Sequence, residues 1–161
     1  MATSATEVIG RVIQVAGPSV DIQFPEGQIP PINTAIHITS EGFEGPSPIQ
    51  VTCEVAQHIG ESRVRTIALQ PTDGMVRGMK AISYGMPVTV PVGPQTLGRV
   101  MNVIGEPVDQ RGPVNGVKRM PIHRQAPLFD EQSTSQQMFE TGIKVIDLLE
   151  PYLRGDRKSV V

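Results

Sequence analysis

The sequence predicts a mainly β protein: a small barrel or sandwich over residues 1–83, followed by the opening of an α/β domain over residues 84–161. Three observations carry this. Short runs of alternating apolar and polar residues recur before residue 84, each bounded by turn signals. Glycine and proline, 16 and 15 of 161 residues, are too dense for long helices or a coiled coil. One strongly apolar helical run stands near the C-terminus, the kind of helix that packs on a sheet.

Residues 8–15 are rich in β-branched side chains, and Gly17-Pro18-Ser19 ends the run. Val20, Ile22 and Phe24 then alternate with Asp21 and Gln23, as in a half-buried strand with its polar side in water. Pro25-Glu26-Gly27 turns the chain, and Pro30-Pro31 keeps the connection extended. Ile36 and Ile38 face inward if His37 and Thr39 face out, and residues 49–56 and 63–69 supply two further strands. Asp73-Gly74 closes the series. A unit of this size buries only about 60% of its unfolded surface, so contacts with neighbouring subunits would help it.

From Gly85 to Pro121 the chain is broken by glycine and proline, which allows at most short strands such as 88–90 and 99–104. The one good helix follows, with Thr141 as N-cap and Gly142 in its first turn. Ile143, Val145, Ile146, Leu148 and Leu149 leave only Lys144 and Asp147 polar, an i, i+3 pair expected to support the helix, and Pro151 stops it. Such a helix needs cover on several sides, and the few residues after it supply no sheet. The second half therefore reads as an unfinished domain, weakly ordered after Tyr84 and exposing apolar helix surface.

Charge and composition exclude several functions. With 14 basic and 16 acidic residues the net charge is −2, which gives no field for a phosphate backbone. Two Tyr, four Phe and no Trp are too few to stack single-stranded bases. No run of 18 apolar residues offers a membrane helix, and the opening MATSATEVIG lacks the basic start and apolar core of a secretory signal. Cys53 is the one cysteine, so an internal disulfide is impossible, and its alternation with Val51 and Val55 makes it a packed, inert thiol.

Candidate chemistry is sparse. His37, His58 and His123 lack the spacing of metal ligands, and surface or interface contacts suit His37 and His123 better. Asp21, Glu54 and Glu61 have no partner in sequence and read as solvated. Gly105, Gly112 and Gly116 are not spaced as G-x-G-x-x-G, and Pro107 and Pro113 interrupt any phosphate-binding helix, so they read as turns. Arg99, Arg111, Arg119 and Arg124 are expected in ion pairs within the domain or between subunits. No catalytic, cofactor-binding or metal residue is assigned.

The segments Leu97-Gly98-Arg99-Val100-Met101-Asn102-Val103-Ile104-Gly105-Glu106-Pro107-Val108-Asp109 and Pro121-Ile122-His123-Arg124-Gln125-Ala126-Pro127 resemble the catalytic beta subunit of the F-type ATP synthase. So do Glu131-Gln132-Ser133-Thr134 and the run Phe139-Glu140-Thr141-Gly142-Ile143-Lys144-Val145-Ile146-Asp147-Leu148-Leu149-Glu150-Pro151-Tyr152. Gly10-Arg11-Val12 and Gly17-Pro18-Ser19-Val20-Asp21 agree with it. The resemblance runs from about residue 7 to 155. It implies a six-stranded N-terminal β-barrel and then the start of an α/β nucleotide-binding domain. Three beta and three alpha subunits alternate in a ring in that family, with the barrels as its crown, on the soluble face of an energy-coupling membrane. Rotation driven by proton flow makes ATP from ADP and phosphate there. The implied partners are thus alpha subunits, with no nucleic acid and no membrane insertion. The alternative is a short, non-catalytic paralogue used for interaction or assembly.

The full-length family holds Mg-ATP or ADP with a loop of form G-x-x-x-x-G-K-[ST]. Lys158-Ser159 is a chance likeness to its end, because Arg157 and Tyr152 occupy the two glycine positions. Without those glycines the backbone amides do not wrap phosphates. These 161 residues are therefore expected to lack nucleotide binding and hydrolysis. Titration calorimetry of the polypeptide with Mg-ATP should give no heat of specific binding; a micromolar, Mg²⁺-dependent isotherm would overturn this.

Overall fold

The computed structural model describes residues 7–41, 48–132 and 135–155. Lys158, Ser159, Ser133 and Thr134 lie outside them. Met1–Arg124 and Gln125–Val161 are two separate units.

In the first unit, β1 (Val8–Ala16), β2 (Ser19–Gln23), β3 (Thr34–Thr39), β4 (Gln50–Gly60), β5 (Arg63–Ala68) and β6 (Lys80–Pro87) form a closed antiparallel barrel. The order around it is β1-β2-β5-β4-β3-β6, and β6 returns to pair with β1. Closure satisfies both edges of every strand and leaves none open to another chain. The β1–β2 turn is Gly17-Pro18, with Gly17 at φ 60°, a conformation glycine adopts without steric cost. In the β4–β5 turn Glu61 and Ser62 take φ 49° and 58° without being glycine.

The inward rows are those the alternation predicts. Val12, Val20, Ile22, Phe24, Ile36, Ile38, Val51, Cys53, Val55 and Val64 fill the interior, with Met75 and Met79 closing it. Most of these are branched valine and isoleucine side chains, which fill the interior of a six-stranded barrel. Thr66 is buried among them, and its hydroxyl donates to the Val20 carbonyl at 2.8 Å, so no polar group is orphaned there. Gly10 stands in the middle of β1 for a steric reason. A Cβ at that position would come within 2.8 Å of the Phe24 ring and 2.7 Å of the Gln23 carbonyl.

The sixth strand has a weak sequence signal, because its inward residues are Ala81 and Ser83. After it, β7 (Thr89–Val92) pairs with β8 (Lys118–Pro121), a partner the sequence reading did not identify. Residues 99–104, expected as a strand, form instead a tight loop. A lone bridge joins Met101 to Pro107, and Asn102 Oδ1 accepts from the Ile104 and Glu106 amides at 3.2 and 2.8 Å. The side chain of Asn102 competes there for hydrogen bonds that a strand would need. Gly105, at φ 78°, presses so closely on Val90 and Pro91 that no Cβ would fit.

In the second unit, β9 (Met138–Phe139) pairs with β10 (Tyr152–Leu153), and α1 (Lys144–Leu149) lies between them in sequence. The helix starts two residues later than expected. Gly142, at φ 76°, precedes it, and Ile143 is the N-cap. Thr141 still serves the helix entry, since its hydroxyl accepts from the Ile143 amide at 3.1 Å. Asp147 does not pair with Lys144. Its carboxylate takes the Thr141 hydroxyl at 2.6 Å and the Thr141 and Gly142 amides, which holds its pKa low. Val145, Leu148 and Leu149 are 65–81% exposed, the apolar surface the sequence led us to expect.

Gly10→Ala is expected to lower barrel stability by about 1–3 kcal/mol, as overpacking does, because Phe24 cannot move without opening the core. Thermal unfolding followed by circular dichroism measures it; an unchanged midpoint would show that the Gly10–Phe24 approach is not required.

Candidate functional site

The barrel interior is packed with side chains, so any function lies on its outer wall. Strand register sets the order of side chains there. Ile9, Ile82, His37 and Thr52 stand directly opposite one another across β1, β6, β3 and β4. Beside them the Tyr84 ring is 5.8 Å from His37, tilted by 48°. Ile9, Tyr84 and Met86 are 47%, 39% and 58% exposed, an apolar band on the outer wall near the barrel seam.

A cleft of about 710 Å³ opens between this wall and the 88–119 segment, lined by His37, Thr52, Gln70, Thr89, Glu106 and Arg119 among others. Burial lowers the His37 pKa and favours its neutral ring. Thr52 Oγ1 lies 3.3 Å from His37 Nδ1, and the Thr52 amide donates to Gln70 Oε1 at 2.9 Å. Arg119 is occupied: it donates to the Thr89 hydroxyl and carbonyl at 3.1 and 2.6 Å and to the Ile104 carbonyl at 3.3 Å. The cleft is thus stitched by internal hydrogen bonds. Among the described residues no group of three or more His, Cys, Asp or Glu side chains comes together to hold a metal ion.

The charged side chains act mainly as fasteners. Arg99 grips Asp109 through two bonds of 2.6 and 2.9 Å and reaches the Gly112 carbonyl at 2.5 Å. The Arg99 guanidinium first, and the Arg111 and Val100 amides after it, hold Asp109 well below the usual carboxylate range. Arg111 reaches the Gly98 carbonyl at 3.4 Å, so Arg99, Arg111 and Arg119 all make intradomain contacts. His123 Nε2 lies 2.9 Å from both oxygens of Glu54, which ties the end of β8 to the barrel wall. His58 donates to the Pro30 carbonyl at 2.8 Å.

Two carboxylates depart from the solvated reading. Asp21 is only 6% exposed, because Arg65 lies over it with bonds of 2.8 and 2.9 Å. Arg65 lowers its pKa, against the opposing effect of burial. Glu54 is claimed by His123, whereas Glu61 remains on the surface with Arg63 beside it. Neither Arg65 nor Asp109 was marked by the sequence, since both pairs join residues whose proximity comes from folding. Cys53 is completely buried and its thiol is pushed up to about 11 by burial, so it is chemically quiet as expected.

Residues 6–85 match the model of the beta-barrel domain of the ATP synthase alpha/beta family. The matched span takes in β1 to β5 and most of β6, the elements that close the barrel.

Both Asp21 and Asp109 have folded pKa values below the ordinary 3.8. Their contribution is therefore fully present above about pH 5 and is lost as pH falls through the lowered folded values. The melting temperature should drop steeply below about pH 4, and Asp109→Asn should flatten part of that drop. A wild-type acid slope retained in full by the variant would remove Asp109 from the account.

Proposed function

We propose that this chain is the N-terminal portion of the catalytic beta subunit of an F-type ATP synthase, with residues 1–83 as a crown barrel and 84–161 as the beginning of the nucleotide-binding domain. The barrel serves a ring in which alpha and beta subunits alternate. The complex would sit peripherally on the soluble face of an energy-coupling membrane, in a reducing compartment. The parent activity is rotary ATP synthesis or hydrolysis coupled to proton transport. Mg-ATP and ADP belong to the full-length subunit, and this polypeptide contributes contacts.

The observation that carries the reading is the combination of a closed six-stranded barrel with a family match over residues 6–85. Beta rather than alpha identity is supported by Pro121-Ile122-His123-Arg124 and Glu131-Gln132-Ser133-Thr134. A contact role is supported by the outer wall itself. Ile9, Ile67, Val76 and Met86 are each 46–58% exposed, although a closed barrel has no edge of its own to cover. Among the described residues no helix is long and apolar enough to cross a membrane, which agrees with a peripheral place.

Co-expression with a tagged alpha subunit tests this. The chain is expected to co-purify with alpha, and Met86→Asp with Ile9→Asp should abolish capture while leaving the melting temperature within a few degrees. A folded wild-type barrel that fails to bind alpha would overturn the reading.

A further inference from the structure

A second cleft, of about 390 Å³, lies on the far side of β1 from the core, where Ile9, Arg11, Ile13, Gln23, Pro25 and Arg77 meet. Its two cations meet at one backbone segment. The Gly78 amide donates to the Val12 carbonyl at 2.8 Å and the Val12 amide to the Met79 carbonyl at 3.0 Å, so residues 78–79 run tied to β1. Arg11 Nη1 donates to the Gly78 carbonyl at 3.3 Å, and Arg77 is the residue before it.

The register gathers more positive charge at this end of the barrel. Lys80, Arg11, Gln23 and Arg63 stand directly opposite one another across β6, β1, β2 and β5. Lys80 has Glu41 at 3.4 Å and Arg63 has Glu61. Among the described residues neither Arg11 nor Arg77 meets a carboxylate at ion-pair distance. Arg11 opposite Lys80 is a like-charge cross-strand pair, an arrangement that costs stability. Arg11 and Arg77 thus bring two positive charges to one cleft without a carboxylate at ion-pair distance among the described residues.

We infer that the Arg11–Arg77 cleft receives an acidic polypeptide segment, a carboxylate side chain flanked by apolar residues, from a partner protein. Guanidinium groups match carboxylates through two parallel bonds, and Ile9, Ile13 and Pro25 offer the apolar walls that a bare anion would not use. Two cations without a carboxylate partner are too few to follow a nucleic-acid backbone. The inference goes beyond the ring-contact reading and is tested apart from it, since it depends on peptide binding and not on capture of alpha.

The probe is a tetramethylrhodamine-labelled peptide of sequence ELDIE, compared with QLNIQ, titrated with the full chain and followed by fluorescence anisotropy. The acidic peptide should bind at least about tenfold more tightly, and Arg77→Gln should remove that preference, as should Arg11→Gln. Arg124→Gln, which removes the same charge elsewhere, should leave it intact. Circular dichroism verifies that each variant is folded; Arg77 makes no side-chain hydrogen bond that its loss would break among the described residues. Equal binding of the two peptides, or a preference that survives Arg77→Gln, overturns the proposal. So does displacement of ELDIE by an equimolar amount of inorganic phosphate, which would mark a plain anion site.

Discussion

The pairing of β1 with β6 is the constraint on which the rest of the first unit depends. It turns an open sheet into a barrel, and from that follow both the filled interior and the order of side chains outside. Val8 to Arg11 face Ser83 to Lys80 residue by residue. A slip by one residue would send Val12 outward and bring charge into the core. Gly10 sits within this pairing, and the Phe24 ring occupies the space that its missing side chain leaves. The seam is therefore closed by a close backbone approach as well as by hydrogen bonds.

Closure also organises the surface. Two parallel rows of side chains circle the wall, one from Ile9 through Ile82 and His37 to Thr52, the other from Lys80 through Arg11 and Gln23 to Arg63. The first joins two isoleucines to His37 and Thr52, and the second carries three cations and Gln23. They differ because strand alternation places every second residue outward, while register decides which residues of neighbouring strands share a level. A surface that carries both kinds of row suits the contact role proposed above.

Beyond the barrel, hydrogen bonds replace a core as the organising force. The 93–117 loop contains few buried apolar groups, and it is shaped by Arg99 on Asp109, by the Asn102 turn and by Arg119 on carbonyl oxygens. Asp147 does the same at the entry of α1, taking the hydroxyl and amide of Thr141 and the amide of Gly142. In each place one polar side chain satisfies several backbone or neighbouring groups, which is how a segment rich in glycine and proline keeps a defined course.

What the sequence determined alone was local. Alternation of branched apolar residues gave β1 to β5 and their inward faces, including the burial of Cys53, and an apolar run interrupted only by Lys144 and Asp147 gave α1. Those signals are strong because burial selects large side chains at a fixed period. β6 was faint because its inner face carries only the small Ala81 and Ser83, and β8 because Lys118–Pro121 has no alternation of its own. The tertiary structure alone decided the long-range charge partners: Asp21 with Arg65, Glu54 with His123, Lys80 opposite Arg11. A carboxylate in a sequence carries no mark of the cation it will meet, since that meeting is made by strand register and barrel closure, which act between residues 44 to 69 positions apart.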